Sequence, residues 1–184
     1  MSKEKAGLDS SSKFLSLVLR HKPERIGLSL DSEGWASIDE LMILANAAGQ
    51  ALDQRTIEVI VAMSDKQRFA LSHDGQRIRA NQGHSIYVSL GLEPQVPPEE
   101  LYHGTASRFF SSIQMNGLHS AQRLHVHLSS NANVAEQVGA RHGKPIVLIV
   151  NAKAMSAAGH LSYLSQNGVW LTKAVPPQFI RLLE

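Results

Sequence analysis

The sequence predicts an α+β protein built from two lobes of similar size. Two observations predict it. A proline-rich polar run, GLEPQVPPEE at residues 91–100, divides the 184-residue chain near its middle. Helical spacing of apolar residues is frequent before that run, and short strand-like segments are frequent after it. The expected boundaries are residues 1–92 for the first lobe, 93–99 for the linker and 100–184 for the second lobe.

In the first lobe, Phe14, Leu17, Val18 and His21 recur at helical spacing, with the serine cluster 10–12 placed to cap the helix. Ser37-Ile38-Asp39-Glu40 has the form of a capping box and opens a second helix that Gly49 ends. Asp53 caps a third helix carrying Thr56, Ile57, Ile60 and Val61. RFALS and RIRA then flank His73-Asp74-Gly75-Gln76, a hairpin pattern. Three helices followed by a β-hairpin is the order of a winged helix, a fold often used on nucleic acid.

The second lobe reads as mixed α and β. LYHGT is a strand, ASRFFSSIQMNG a helix stopped by Gly117, and LHVHLS another strand. NANVAEQVGARHG is a helix stopped by Gly143, and KPIVLIVNA a buried strand. LSYL and VWLT follow across an Asn167-Gly168 turn, and a last strand comes after Pro176-Pro177. No GxGxxG occurs, which argues against a Rossmann dinucleotide site.

The chain contains no cysteine, so disulfides, thiolate metal sites and cysteine nucleophiles are excluded. The N-terminal MSKEKAGLDSSS lacks the apolar region of a signal peptide, and no apolar run is long enough to span a bilayer. A cytoplasmic protein with no membrane partner and no obligate protein partner is expected. Residues 31–58 hold six acids against Arg55 alone, whereas residues 13–25 and 66–84 are locally basic. This separation suggests a bipolar lobe whose basic side meets phosphates, or ordinary solvated surface charge.

The segment SLVLRHKPER places Arg20 and His21 where an apolar helix stops before Pro23. Cations near a helix C-terminus are favoured by its free carbonyls, which explains either residue taken alone. Arg68 opens the first hairpin strand. Arg77 and Arg79 share one face of the second, opposite Ile78 and expected to lack nearby acidic partners. Guanidinium groups of this kind bind phosphate oxygens in a bidentate fork. In the second lobe His125 and His127 fall on one face of a strand. With His103 they make three imidazoles, read as a metal site, another ligand site or structural histidines. No metal is expected.

A series of motifs taken in order, LRHKPERIGLSLDSEGW, KQRFAL, IRANQGHSI, LYHGT, GLHSAQRLHVHLS, GARHGKPIVL and NGVWLTKAVPP, resembles the RNA 2′-phosphotransferases. That family resembles the tRNA-splicing enzyme that removes a junction 2′-phosphate with NAD. The resemblance runs over roughly residues 12–184. It implies a winged-helix-like RNA lobe followed by an ADP-ribosyltransferase-like, NAD-binding lobe. The family's Arg-His-Arg-Arg quartet falls on Arg20, His21, Arg68 and Arg123, with Arg141 the second candidate for the fourth place. Its NAD-binding triad falls on His103, His127 and Val169, the last standing where related transferases keep a glutamate. His103, Gly104, Thr105 and Ser129 are expected to hold NAD at the strand ends, with Gly104 allowing close approach of the backbone to the ligand. Arg77, Arg79, Gln82 and His84 are expected to contact RNA.

The chemistry that the resemblance implies needs no carboxylate pair. A phosphomonoester has a second pKa of about 6, so a 2′-phosphate is largely dianionic at neutral pH and a ready nucleophile. The implied substrates are NAD and RNA bearing an internal 2′-phosphate. The implied products are nicotinamide, ADP-ribose 1″,2″-cyclic phosphate and RNA with a free 2′-hydroxyl. Arg20, Arg68 and Arg123 would clamp the phosphate, and His21 would donate a proton or a hydrogen bond in the second step. The alternative is an ADP-ribosyltransferase that stops after the first step and caps terminal phosphates of RNA or DNA. A third reading is a binding module without catalysis.

Overall fold

A computed structural model describes residues 3–64 and 66–183, with the backbone alone for 3–5. The first expected lobe begins and the second ends on residues outside that range (Met1, Ser2 and Glu184). Helices and small antiparallel sheets alternate along the chain, an α+β architecture. The chain divides into two units, Met1–Gly91 and Leu92–Glu184. Among the described residues, no helix is long and apolar enough to cross a membrane.

The first unit opens with α1 (Lys3–Arg20), which runs straight through the serine cluster expected to cap it. The reason is packing. Leu8 lies against the core that holds Leu15, Val18 and Leu19, and burial of such a stripe outweighs the weak helix propensity of serine. The stripe is therefore rotated from the sequence expectation: Leu17 and His21 lie on another face and line a groove. The helix stops at Arg20, three residues before a short 3₁₀ turn beginning at Pro23. Lys22 is non-helical (φ −142°, ψ 60°), as expected of a residue preceding proline.

Short β1 (Ala36–Ser37) leads into α2 (Ile38–Ala47), whose N-cap is Ser37: its hydroxyl accepts from the Glu40 amide at 3.4 Å. Asp53 likewise caps α3 (Gln54–Ala62), accepting from the Thr56 amide at 2.7 Å. Hydrogen bonding from Thr56 holds the Asp53 carboxyl below its ordinary pKa. Strands β2 (Phe69–Leu71) and β3 (Arg77–Ala80) form the expected hairpin, pairing Leu71 with Ile78 and Phe69 with Ala80. Asp74 ties the turn by accepting from the Ser72 hydroxyl and the Gln76 amide, and Gly75 takes the left-handed conformation. β1 pairs with the far side of β3, giving the order β1-β3-β2.

The second unit is built on β4 (Glu100–Ala106), which pairs along its whole length with β7 (Pro145–Asn151). Between them come α4 (Phe110–Asn116), β5 (Leu118–His119), β6 (Val126–Leu128) and α5 (Ala132–Gly139). After β7 follow α6 (Ala152–Ala157), β8 (Ser162–Leu164), β9 (Trp170–Thr172), β10 (Ala174–Val175) and β11 (Ile180–Leu182). The sheets are β11-β7-β4, β6-β9-β8 and the pair β10-β5. Leu101, Leu148, Val150 and Val175 are fully buried between them. Sequence patterning did not predict α6 or the short strands β1, β5 and β10. It also carried the helix before Gly143 too far: α5 ends at Gly139, and a 3₁₀ turn covers Ala140–His142. Pro94 bridges Tyr163, and the Gln95 amide donates to the Ser162 carbonyl at 2.8 Å. The start of the proline-rich stretch thus lies along the edge strand β8 of the second unit.

Candidate active site

In the first unit, the C-terminus of α1 meets the start of the hairpin. Arg20 reaches from the last helical turn and donates through Nη2 to the Arg68 carbonyl at 3.2 Å, with its guanidinium 5.7 Å from the Phe69 ring centroid. A Cβ at Gly83 would stand 3.6 Å from Arg20 Nη1, so the NQGH loop lies close over this guanidinium. The Ser85 amide donates to the Arg20 carbonyl at 2.9 Å, satisfying one of the carbonyls left open at the helix end. The Ser85 hydroxyl lies 3.0 Å from His21 Nδ1. Arg68 and His21 both line a groove of about 320 Å³ together with Asp9, Ser12, Lys13, Ser16 and Leu17. Three of the four quartet positions are therefore gathered in one unit from segments 48 residues apart.

The expectation that Arg77 and Arg79 lack acidic neighbours is corrected. Pairing of β1 with β3 carries the segment just before β1 alongside them. Arg77 lies 3.4 Å from Asp31, and Arg79 lies 3.7 Å from Glu33. Both guanidiniums also stack on Trp35, at 5.6 and 4.5 Å from the ring centroid. Arg79 is buried, so this cation–π pair is part of the fold. His84 is buried too, with Nε2 near Gly34, while Gln82 is half-buried. The acidic and basic segments that looked separate in sequence thus partly neutralise each other.

In the second unit, His103, Gly104 and Thr105 lie on β4, His127 on β6, Ser129 just beyond β6, and Val169 just before β9. The structure brings these positions onto neighbouring strands. Tyr102 and Ser129 exchange backbone hydrogen bonds at 2.8 Å, joining β4 to the end of β6, and β6 pairs with β9 through Leu128 and Trp170. His103 Nδ1 is 3.0 Å from the His127 carbonyl, which fixes Nδ1 as the protonated nitrogen of the neutral ring. Desolvation lowers the His103 pKa. The bond to the His127 carbonyl opposes that shift, and nearby His142 adds to it.

Three of these residues have structural duties. A side chain at Gly104 would run into the backbone carbonyl of Ala135, and one at Gly139 would come within 2.7 Å of the Thr105 carbonyl oxygen. Gly104 is thus required for the close packing of α5 on β4, a duty separate from the ligand approach expected of it. The Ser129 hydroxyl accepts from the Asn131 amide and donates to the Asn131 carbonyl, both at 3.0 Å. Val169 bonds Ser165 through both its N–H and its C=O. His125 precedes β6 and meets Tyr163 edge-on at 6.1 Å. Among the described residues, no group of three or more histidines and carboxylates is arranged to hold a metal ion. Arg123 is exposed on the loop between β5 and β6, and Arg141 is exposed on the turn after α5.

Sequence reasoning missed Ser85. Its side chain and its amide both serve the Arg20-His21 corner, but nothing local in NQGHS points back 64 residues.

A cationic corner of two arginines and a histidine suits a phosphate, and comparison with known proteins agrees. The chain matches the sequence model of the "RNA 2′-phosphotransferase, Tpt1 / KptA family" over residues 7–174. A protein of Hahella chejuensis named "Probable RNA 2′-phosphotransferase" is 56% identical over 177 residues, covering 96% of this chain and 95% of that protein. Relatives with the same name in Pseudomonas aeruginosa PAO1 and Escherichia coli O139:H28 are 55% and 49% identical. They cover 95% and 94% of this chain, and 96% and 95% of their own lengths. With the match running through both units and through every motif that carries the candidate site, this chain belongs to the RNA 2′-phosphotransferase family.

Proposed function

We propose that this enzyme removes an internal 2′-phosphate from RNA using NAD as co-substrate. The observation that carries the reading is that His21 and Arg68 line one groove of the first unit, with Arg20 bonded to the Arg68 carbonyl beside them. Its order of three helices and an antiparallel hairpin supports a winged-helix-like RNA lobe. The small antiparallel sheets and helices of the second unit support an ADP-ribosyltransferase-like lobe.

Arg20 and Arg68 hold the phosphate dianion. Guanidinium stays charged at all working pH values and offers a planar fork to two oxygens. Negative charge on the phosphoryl oxygens persists through transfer, so fixed cations that need no reorganisation lower the barrier. His21 has Nδ1 committed to Ser85, so exchange of a proton with a ligand in the groove falls to Nε2. Arg123 carries over from the family quartet as the fourth cation.

The residues of the second unit fit the nicotinamide-riboside portion of NAD. Neutral His103, its Nδ1–H fixed on the His127 carbonyl, presents a hydrogen-bonding ring without charge. Val169 contributes no carboxylate, consistent with an acceptor that is already a strong nucleophile. NAD supplies the ADP-ribose that accepts the phosphate, so one 2′-phosphorylated RNA and one NAD give 2′-hydroxyl RNA, nicotinamide and ADP-ribose 1″,2″-cyclic phosphate.

Mass spectrometry of an oligoribonucleotide with one internal 2′-phosphate, incubated with NAD, tests the reading. The expected result is RNA lighter by one phosphate, with nicotinamide and the cyclic phosphate formed in equal amount. RNA that keeps its phosphate and gains ADP-ribose would assign the terminal-capping reaction instead. No nicotinamide release would sink both.

A further inference from the structure

The groove beside His21 and Arg68 continues along α1 well past the proposed phosphate site. Its remaining walls are Asp9, Ser12, Lys13, Ser16 and Leu17, which share one helix face through i, i+3, i+4 and i+7 spacing. From Asp9 to His21 the chain advances about 18 Å along the helix axis. That is several times the axial rise per phosphate of a stacked strand, about 3.4 Å. The volume of about 320 Å³ lies at the lower end of the range that accepts small-ligand groups, roughly 300–1,000 Å³.

The lining is unusual for an internal helix face. Serine is a poor helix former because its hydroxyl competes for backbone groups. Yet Ser12 and Ser16 lie within the body of α1, both only half-buried, and Leu17 is the sole apolar wall. Among the described residues, no hydrogen bond or ion pair of the fold engages Ser12, Ser16 or Lys13 side chains. Two hydroxyls and an ammonium, next to Arg68, make a polar and mainly cationic channel. Asp9 marks where it ceases to favour anions.

We propose that this groove binds the sugar-phosphate backbone of the RNA flanking the 2′-phosphorylated nucleotide. Lys13 holds a backbone phosphate, and Ser12 and Ser16 donate hydrogen bonds to the same strand. The assignment rests on the reading of His21 and Arg68 as the 2′-phosphate site. It explains how an enzyme of modest net charge, +2, secures a chain substrate: the cations are concentrated along its path.

Fluorescence anisotropy with a labelled hexaribonucleotide bearing one internal 2′-phosphate, in the absence of NAD, tests the subsite. Lys13→Ala is expected to weaken binding about five- to tenfold and to flatten the salt dependence of the logarithm of affinity by about one contact. Lys13→Arg should restore both, and Ser12→Ala/Ser16→Ala should weaken binding about threefold, as loss of neutral hydrogen bonds does. Alanine favours helix at these positions, so the variants remain folded. In turnover assays the loss should appear mainly in KM for RNA. Unchanged affinity and salt slope in the Lys13→Ala and double-serine variants would overturn the subsite. A raised KM for NAD with intact RNA affinity would also overturn it, assigning the groove to the dinucleotide. Wild-type protein that binds the oligonucleotide but never turns it over with NAD would instead defeat the proposed reaction.

Discussion

His21 Nδ1 and Ser85 Oγ stand 3.0 Å apart, joining the last turn of α1 to the loop after the hairpin. The same serine's amide donates to the Arg20 carbonyl. One residue thus positions both members of the Arg-His pair, holding the imidazole by one nitrogen. Ser85→Ala is expected to lower kcat about three- to tenfold, the value of one neutral hydrogen bond, with a smaller change in KM. Ser85→Thr should recover most of the loss. Nitrogen chemical shifts of His21, measured by NMR, should change tautomer balance in the alanine variant and not in the threonine variant.

The two quartet arginines of the first unit, Arg20 and Arg68, divide their duties differently. Arg20 donates to the Arg68 carbonyl, stacks near Phe69 and packs under the Gly83 loop, whereas the Arg68 side chain lines the groove. Arg68→Ala should cut kcat/KM by about a hundredfold or more, the usual effect of removing a fixed electrostatic donor, with little change in Tm. Arg20→Ala should cause a similar loss of activity and lower Tm by several degrees as well. Calorimetry beside steady-state assays separates the two. Equal Tm losses would contradict this division.

What the sequence made legible was local. The Ser37 and Asp53 caps and the Asp74-Gly75 turn depend on residues two or three apart, and each forms as its pattern predicts. Contacts over long separations were not legible. Nothing in DSEGW announces that Asp31 and Glu33 reach Arg77 and Arg79, because that meeting follows from β1 pairing on β3. The start of α1 was misplaced for a related reason: Leu8 joins a core assembled from distant elements, and tertiary burial overrides the serines. At the site, the motif series singled out Arg20, His21 and Arg68, whereas the service of Ser85 required the folded chain.

Gly104 shows the same dependence on the fold. α5 crosses β4 so closely that a methyl group there would enter the Ala135 carbonyl, leaving no room for a rotamer to escape. Gly104→Ala should destabilise the protein by at least about 3 kcal/mol, the upper range for overpacking. Gly139→Ala, facing the Thr105 backbone at 2.7 Å, should cost less because only that approach must widen. Urea unfolding of the two variants measures both. A Gly104→Ala protein of wild-type stability would refute the close-packing account.

The pH dependence of stability reports on His103. Desolvation chiefly lowers its pKa, against the opposing pull of the His127 carbonyl. The unfolded chain takes up a proton near the ordinary value of 6.5, while native His103 stays neutral to lower pH. Below that value the unfolded state binds more protons than the native state, so stability falls as pH falls, until native His103 also protonates. The slope from this one group is at most about 1.4 kcal/mol per pH unit. Burial shifts His125 in the same direction, so the wild-type slope alone does not isolate His103. His103→Asn does, because asparagine can still donate to the His127 carbonyl but does not titrate. Urea unfolding at about pH 7.5 and about pH 5.5 should show a shallower acid loss for His103→Asn than for wild type. Identical slopes in the two proteins would show that His103 is already free to protonate in the folded state, and its assignment as a neutral ring in the second unit would fall with that result.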